Sequence, residues 1–240
     1  MRFNRIFLFV FCIFLLFPLA ACSKAEAAPQ QTIGTGSAAQ EGSFLDALTF
    51  LGDSTTAHMQ QRSPLRQEQI WATKNRYLNL DTRITTAQIV APDTGEEETI
   101  AAVAARLRPA FLVITLGVDY GVYYYRNKPE VFRHYYEKLL DAVHEASPDT
   151  VLILQSVFPV ASSSAVITNE MIDNANGIIR SIATRRGLVF VDQKPVLADA
   201  QGFLRAEYCS SEDGIHLTAS AYEAILKNLA AMEQEIRGAA

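Results

Sequence analysis

Cysteine is scarce in this sequence, with three residues among 240. Cys12 and Cys22 belong to an N-terminal segment, and Cys209 stands alone in the remaining two hundred or so residues. A disulfide bond within that larger region is therefore excluded, and no cluster of Cys and His has the spacing of a zinc site. We accordingly expect neither a metal nor a cofactor.

Basic residues are not in excess either. The 21 Lys and Arg are outnumbered by 26 Asp and Glu, which leaves a formal net charge of −5. The positive residues are scattered and form no basic stripe, so we expect no nucleic-acid partner. The most apolar run, residues 6–16, is too short to predict a transmembrane helix.

The first 22 residues have the pattern of a secretion signal. Arg2 and Arg5 precede the apolar run, and small residues follow Pro18. The Leu-Ala-Ala-Cys sequence of residues 19–22 resembles a bacterial lipobox, with cleavage before Cys22 and lipid on its sulfur; the alternative is an ordinary signal peptide with an incidental cysteine. We expect export and lipid anchoring on the outer face of a bacterial membrane, in the cell envelope.

Two further regions follow the leader. Residues 23–42 are rich in Ala, Gln, Gly, Ser and Thr and lack apolar periodicity, which predicts a flexible tether. Residues 43–240 have the usual length of one domain and enough chain to bury a core. We expect this domain to be a monomer.

Strand and helix patterns alternate along the domain, which predicts an α/β fold with a mostly parallel sheet. Continuous apolar runs predict buried strands at 47–51, 111–116, 151–154 and 188–191. A second strand is expected somewhere in 77–90. Helices are predicted over 98–107, from Pro129, up to Gly187 and after Thr218.

The first strand leads directly into Gly52-Asp53-Ser54. Gly52 permits a sharp turn, and Asp53 and Ser54 are residues that commonly start helices. A serine at that position presents its hydroxyl at the sheet edge, with its own N–H available for an oxyanion. A capped strand–turn–helix without any chemistry is the simpler alternative for this tripeptide alone.

A second polar motif, Asp213-Gly214-Ile215-His216, stands near the C-terminus. Histidine is the side chain best suited to take a proton from serine near neutral pH, and a carboxylate can orient it. The alternatives are a turn-capping Asp213 with a surface His216, or a nucleophilic Cys209. His58, His134 and His144 are expected to be surface or structural residues, although the spacing of His58 from Ser54 would let it line a cleft.

These two motifs resemble the SGNH/GDSL hydrolase family, over roughly residues 44–236. The resemblance implies a flavodoxin-like three-layer α/β/α sandwich with a mostly parallel central sheet. It also implies ester hydrolysis through Ser54, His216 and Asp213, without a metal or cofactor.

Two departures from that family concern stabilisation of the oxyanion. The family's Gly-x-Asn-Asp block is matched by Gly117-Val118-Asp119, so Asp119 stands where an asparagine donor is expected. The family's other glycine donor has no counterpart between Trp71 and Val90. A backbone N–H near Asn75 or Asn79 would have to replace it.

Tyrosines are concentrated at Tyr120 and residues 123–125. They are expected either to pack on the domain or to form an aromatic wall suited to stacking on sugar rings. Family and location suggest removal of O-acetyl groups from a carbohydrate, by an ester-hydrolysing enzyme. The alternatives are a lysophospholipase or thioesterase, and a weakly active or inactive glycan-binding protein, which an ionised Asp119 would favour.

Overall fold

The computed structural model describes residues 43–239, so the predicted leader, the tether and Cys22 lie outside the described residues. Within this range the chain forms seven strands: β1 (Leu48–Gly52), β2 (Ile70–Trp71), β3 (Gln88–Val90), β4 (Glu97–Thr99), β5 (Phe111–Thr115), β6 (Val151–Gln155) and β7 (Val189–Val191). The same range contains eight α-helices: α1 (Ser54–Ala57), α2 (Met59–Arg62), α3 (Ile100–Leu107), α4 (Pro129–Ala146), α5 (Asn169–Arg186), α6 (Lys194–Leu197), α7 (Ala219–Ala231) and α8 (Glu233–Gly238).

A parallel sheet with strand order β2-β1-β5-β6-β7 forms the centre of the fold. Alternate side chains of each strand enter two different hydrophobic cores, because successive residues point to opposite faces. Leu112 and Ile114 of β5 pack with α3, α4 and α5, whereas Phe111 and Val113 pack with α7 and α8. The predicted α/β fold with helices on both faces of a parallel sheet is confirmed.

The position of the second strand differs from the prediction. The strand beside β1 is β2, where Ile70 pairs with Phe50 and Trp71 with Leu51. Within the expected region, 77–90, the one strand is β3, which pairs antiparallel with β4 in a separate two-stranded sheet. A two-residue strand is too short for apolar periodicity to reveal it.

The helix boundaries follow the predicted signals, with two differences. Pro129 is in the first turn of α4, and Gly187 ends α5 in the left-handed region at φ 66°. Helix α3 begins at Ile100 rather than at residue 98, because Glu97–Thr99 pairs as β4. The last helix is interrupted at Met232, between α7 and α8. No helix among residues 43–239 is long and apolar enough to span a membrane.

Candidate active site

The turn between β1 and α1 carries Ser54. Asp53 caps α1 by accepting hydrogen bonds from the Thr55 hydroxyl at 2.9 Å and the Thr55 N–H at 3.4 Å. The φ of Gly52 is not in the positive region, so the turn requires glycine for lack of space and not for a left-handed backbone conformation. A Cβ at Gly52 would collide with the Thr115 carbonyl oxygen and the Thr56 side chain.

Asp53 joins this turn to the loop after β5. Its second carboxylate oxygen accepts hydrogen bonds from the N–H groups of Gly117 and Val118, both at 2.9 Å. The side chain is buried, and burial together with the neighbouring Asp119 carboxylate raises the pKa of Asp53 to about 7. In this structure the Gly117 N–H therefore donates to Asp53 and not into the cleft.

Asp119 contacts Ser54 directly. One carboxylate oxygen accepts from the Ser54 N–H at 2.8 Å, and the other accepts from the Ser54 hydroxyl at 2.5 Å. Burial raises the pKa of Asp119, and these two hydrogen bonds oppose that rise. The Asp119 carboxylate therefore occupies the N–H donor that an ester oxyanion would need, and the Ser54 hydroxyl points to Asp119.

Asp213 and His216 form a hydrogen-bonded pair, with 2.7 Å between Asp213 Oδ2 and His216 Nδ1. Between them Gly214 adopts φ 73°, a conformation that favours glycine. Burial would raise the pKa of Asp213, but hydrogen bonds from the Ser211 hydroxyl, the Ile215 N–H and His216 outweigh it and lower that pKa to about 2. Asp213 is therefore ionised at neutral pH and can hold an imidazole N–H.

His58 is closer to this pair than the sequence indicated. Its ring lies 4.6 Å from the His216 ring between centroids, with 54° between the ring planes. Burial is the main cause that lowers the pKa of His58 to about 4, and the neighbouring His216 is the second. The ring is therefore neutral at neutral pH. The spacing of four residues from Ser54 was the one sequence signal for this placement.

Ser54, Asp119 and His216 line one cleft of about 350 Å³. The other lining residues are Tyr77, Asn79, Val118, Tyr123, Tyr124, Val166, Ile167 and Ile215. The apolar lining from Val166 and Ile167 was not foreseen, because the loop that carries them has no chemical motif.

The remaining predicted site residues lie around this cleft. Tyr120 does not line it but stacks on Tyr124, with 4.0 Å between ring centroids and 17° between planes. Asn75 lines a neighbouring cavity instead, and its side chain accepts hydrogen bonds from Thr73 and from the Tyr77 N–H. Asn79 lines both cavities.

Cys209 lies on the segment that leads to Asp213. Its thiol donates to the Ser211 carbonyl oxygen at 3.2 Å, and the residue is half-buried against Leu217. Cys209 does not line the cleft. Across residues 43–239, no three His, Cys, Asp or Glu side chains are grouped so that they could hold a metal ion.

Known structures share this architecture at low sequence identity. A GDSL-like lipase from Bacteroides thetaiotaomicron VPI-5482 superposes with TM-score 0.50 and 18% identity, over 82% of this chain and 90% of that one. A proposed acylhydrolase from Bacteroides fragilis NCTC 9343 gives TM-score 0.53 and 15% identity, over 78% and 86%. A proposed platelet activating factor from Streptococcus pneumonia gives 0.52 and 18%, over 78% and 83%. These similarities show the fold.

The sequence profile of the GDSL-like lipase/acylhydrolase family matches residues 50–224. That range includes the Ser54 turn, the Asp119 loop and the Asp213–His216 pair. No curated protein sequence matches the chain significantly. The protein belongs to the GDSL-like lipase/acylhydrolase family, and it is an ester-hydrolysing enzyme of that family.

Proposed function

We propose that this protein is a serine esterase of the bacterial cell envelope that removes O-acetyl groups from a carbohydrate. Ser54 is the nucleophile, His216 the general base and Asp213 the residue that orients the imidazole. The observation that carries the proposal is the 2.7 Å hydrogen bond between Asp213 and His216 Nδ1, beside the cleft shared by His216 and Ser54.

The proposed reaction follows from these roles. Asp213 accepts the Nδ1–H of His216, which leaves Nε2 free to take the Ser54 hydroxyl proton as Oγ attacks the ester carbonyl. The carbonyl oxygen becomes an oxyanion, and the Ser54 N–H can donate to it. His216 then protonates the departing alcohol. In the second half of the reaction, His216 takes a proton from water as that water attacks the acyl–Ser54 carbonyl, and it returns the proton to Ser54 Oγ as the carboxylic acid leaves.

Asp119 sets a condition on the first step. In the described structure both Ser54 donors are bonded to the Asp119 carboxylate. The hydroxyl must turn to His216, and the N–H must be released to the substrate, before attack can occur. Displacement of Asp119 would meet both requirements, and protonation would weaken both hydrogen bonds.

A carbohydrate acetyl ester is supported by the lining of the cleft. The rings of Tyr123 and Tyr124 face the same space as Ser54, and Tyr124 is 53% exposed. Exposed tyrosine rings are suited to sugar faces, since they combine apolar area with a polar hydroxyl. The apolar side chains that line the cleft, including Val166 and Ile215, could accept a short acyl group.

The nucleophile is tested with a fluorophosphonate probe and an aryl acetate. Ser54→Ala should lose the label, and Ser54→Ala and His216→Ala should each lower kcat by about 10⁴-fold or more. Cys209→Ser is the matched control and should keep both label and rate. Persistent labelling of Ser54→Ala would place the nucleophile elsewhere, with Cys209 tested first.

The substrate class is tested by competition among esters. O-acetylated sugars should be hydrolysed with higher kcat/KM than lysophosphatidylcholine or an acyl thioester. A preference for lysophosphatidylcholine, or for long over short acyl chains, would replace the carbohydrate assignment with a lipid one while leaving the role of Ser54 intact.

A further inference from the structure

A second cavity, of about 470 Å³, adjoins the catalytic cleft. The two cavities share Tyr77 and Asn79 as lining residues. We call this second cavity the polar bowl; the side chains of its wall that bear on its chemistry are Lys74, Asn75, Asp81, Arg83, Gln88 and Glu97. A substrate that reacts at Ser54 could therefore extend past Tyr77 into the polar bowl.

The charges of the polar bowl cancel in pairs. Lys74 Nζ lies 3.1 Å from Glu97, and Arg83 lies 2.7 Å from Asp81. Each cation thus already has a carboxylate partner, and the lining has no net charge. An anionic ligand such as a phosphate ester would have to compete with those carboxylates, so the electrostatics favour a neutral ligand.

The uncharged polar groups of the polar bowl are available to such a ligand. Among the described residues, the side-chain amides of Asn79 and Gln88 and the hydroxyl of Tyr77 form no hydrogen bond. Asn75 uses only its carbonyl oxygen, which accepts from the Thr73 hydroxyl at 2.8 Å and the Tyr77 N–H at 3.2 Å. Its NH₂ group remains a donor. Amides both donate and accept, which matches sugar hydroxyls.

Tyr77 provides an aromatic surface at the junction of the two cavities. Its side chain is 59% exposed, although Leu78 and Leu80 beside it are buried and anchor the loop. A large exposed ring beside a polar cavity is suited to packing against the apolar face of a sugar.

We propose that the polar bowl binds a neutral sugar residue of the substrate, on the alcohol side of the ester. The amides of Asn75, Asn79 and Gln88 hold its hydroxyls, and Tyr77 stacks on its ring. The assignment rests on the proposed function, because it takes Ser54 as the reacting centre. It predicts a preference for acetylated oligosaccharides over simple aryl acetates that depends on the polar bowl.

The test fills the polar bowl and measures specificity. In the full-length protein, Gln88→Trp places a large ring at the exposed first residue of β3. The ratio of kcat/KM on an O-acetylated xylo-oligosaccharide to kcat/KM on 4-nitrophenyl acetate should fall at least about tenfold, equivalent to about 1.4 kcal/mol. Gln201→Trp is the matched control, since Gln201 is exposed and lines neither cavity, and should keep the wild-type ratio. Tyr77→Ala should also lower the ratio, and it replaces Gln88→Trp as the test variant if that protein does not fold.

Direct binding separates this proposal from the proposed function. Calorimetry on Ser54→Ala should detect binding of non-acetylated xylohexaose or chitohexaose, and the further substitution Gln88→Trp should abolish that binding. If wild-type protein neither reacts with fluorophosphonate nor hydrolyses the aryl acetate, the esterase proposal fails. The calorimetry then still shows whether the polar bowl binds a neutral oligosaccharide. An unchanged specificity ratio in both bowl variants would overturn the inference. The inference would also be overturned if neither neutral oligosaccharide bound, or if an anionic oligogalacturonate bound more tightly than the neutral ones.

Discussion

At the residue scale, the ionisation of Asp119 decides whether the Ser54 N–H is opposed or supported in binding an oxyanion. An ionised carboxylate on the Ser54 N–H repels a developing oxyanion, whereas a protonated carboxyl or an amide could donate to it. Burial raises the pKa of Asp119, but the Ser54 hydrogen bonds favour the ionised form. We therefore interpret Asp119 as an internal competitor for the donor that the substrate needs.

Replacing Asp119 tests this interpretation. Asp119→Asn should keep the fold and raise the esterase rate at neutral pH by about tenfold or more, because one oxyanion donor is commonly worth a factor of a hundred or greater. The gain should shrink as pH falls through the raised pKa of Asp119, where the parent carboxyl becomes protonated and can donate itself. The measurement is the pH–rate profile of both proteins on one acetyl ester, corrected for protonation of His216.

An exposed carboxylate gives the matched control for that experiment. Asp149→Asn, in the turn before β6, removes the same charge away from the cleft and should leave the profile unchanged. If Asp119→Asn is slower than the parent at every pH, Asp119 itself contributes to catalysis and its interpretation as a competitor is wrong.

His58 packs against His216 and bears on the protonation that the proposed reaction requires of it. Its low pKa keeps the ring neutral, so His58 adds no positive charge beside His216, which takes the Ser54 proton in the proposed reaction. A protonated neighbour at this distance would oppose that transfer.

At the scale of elements, the β1–α1 turn depends on a close approach between β1 and β5. Gly52 pairs with Thr115, and the carbonyl oxygen of Thr115 lies so close that it would collide with a Cβ on residue 52. The backbone of two central strands cannot move apart without breaking their ladder. Ser54, two residues later, is held in place by this packing.

Gly52→Ala should therefore destabilise the protein by about 1–3 kcal/mol and lower esterase activity, because the added methyl group overpacks the turn. Gly177→Ala is the matched control. Gly177 is exposed in α5, and a methyl group there would meet no other atom within 4 Å, so alanine should stabilise the helix by about 0.5–1 kcal/mol. Denaturant unfolding measures both; equal stability of Gly52→Ala and wild type would show that the turn can relax.

At the scale of the whole molecule, we propose that the hydrolase domain is attached to a membrane by a lipid on Cys22. The proposal rests on the leader pattern and the residues at 19–22, both outside the described part of the chain. The tether would then let the cleft reach esters near the envelope surface.

The anchor is tested in a bacterial host that processes lipoproteins. The full-length protein should partition into detergent and carry a lipid-modified Cys22, whereas Cys22→Ser should not be lipidated. Mass spectrometry of a mature protein with an unmodified Cys22 would contradict the anchor. Cys209→Ser is the control, since loss of that thiol should not change partitioning.

The α/β class could be predicted from the sequence, because continuous apolar runs such as residues 111–115 alternate with helix patterns, as in a parallel sheet covered on both faces. The sequence also determined the serine turn and the Asp213–His216 pair, since their residues are neighbours along the chain. It did not reveal β2, whose two residues are recognisable only by their pairing with Phe50 and Leu51.

The family resemblance placed Asp119 near the oxyanion, but the hydrogen bonds that it accepts from Ser54 are seen only in the folded structure. Asp119 lies 65 residues further along the chain, and the contact arises because parallel strands β1 and β5 end at the same edge of the sheet. The packing of His58 on His216 and the junction of the cleft with the polar bowl have the same origin. Residue types show what a side chain can do, but the direction in which it points depends on how distant segments pack.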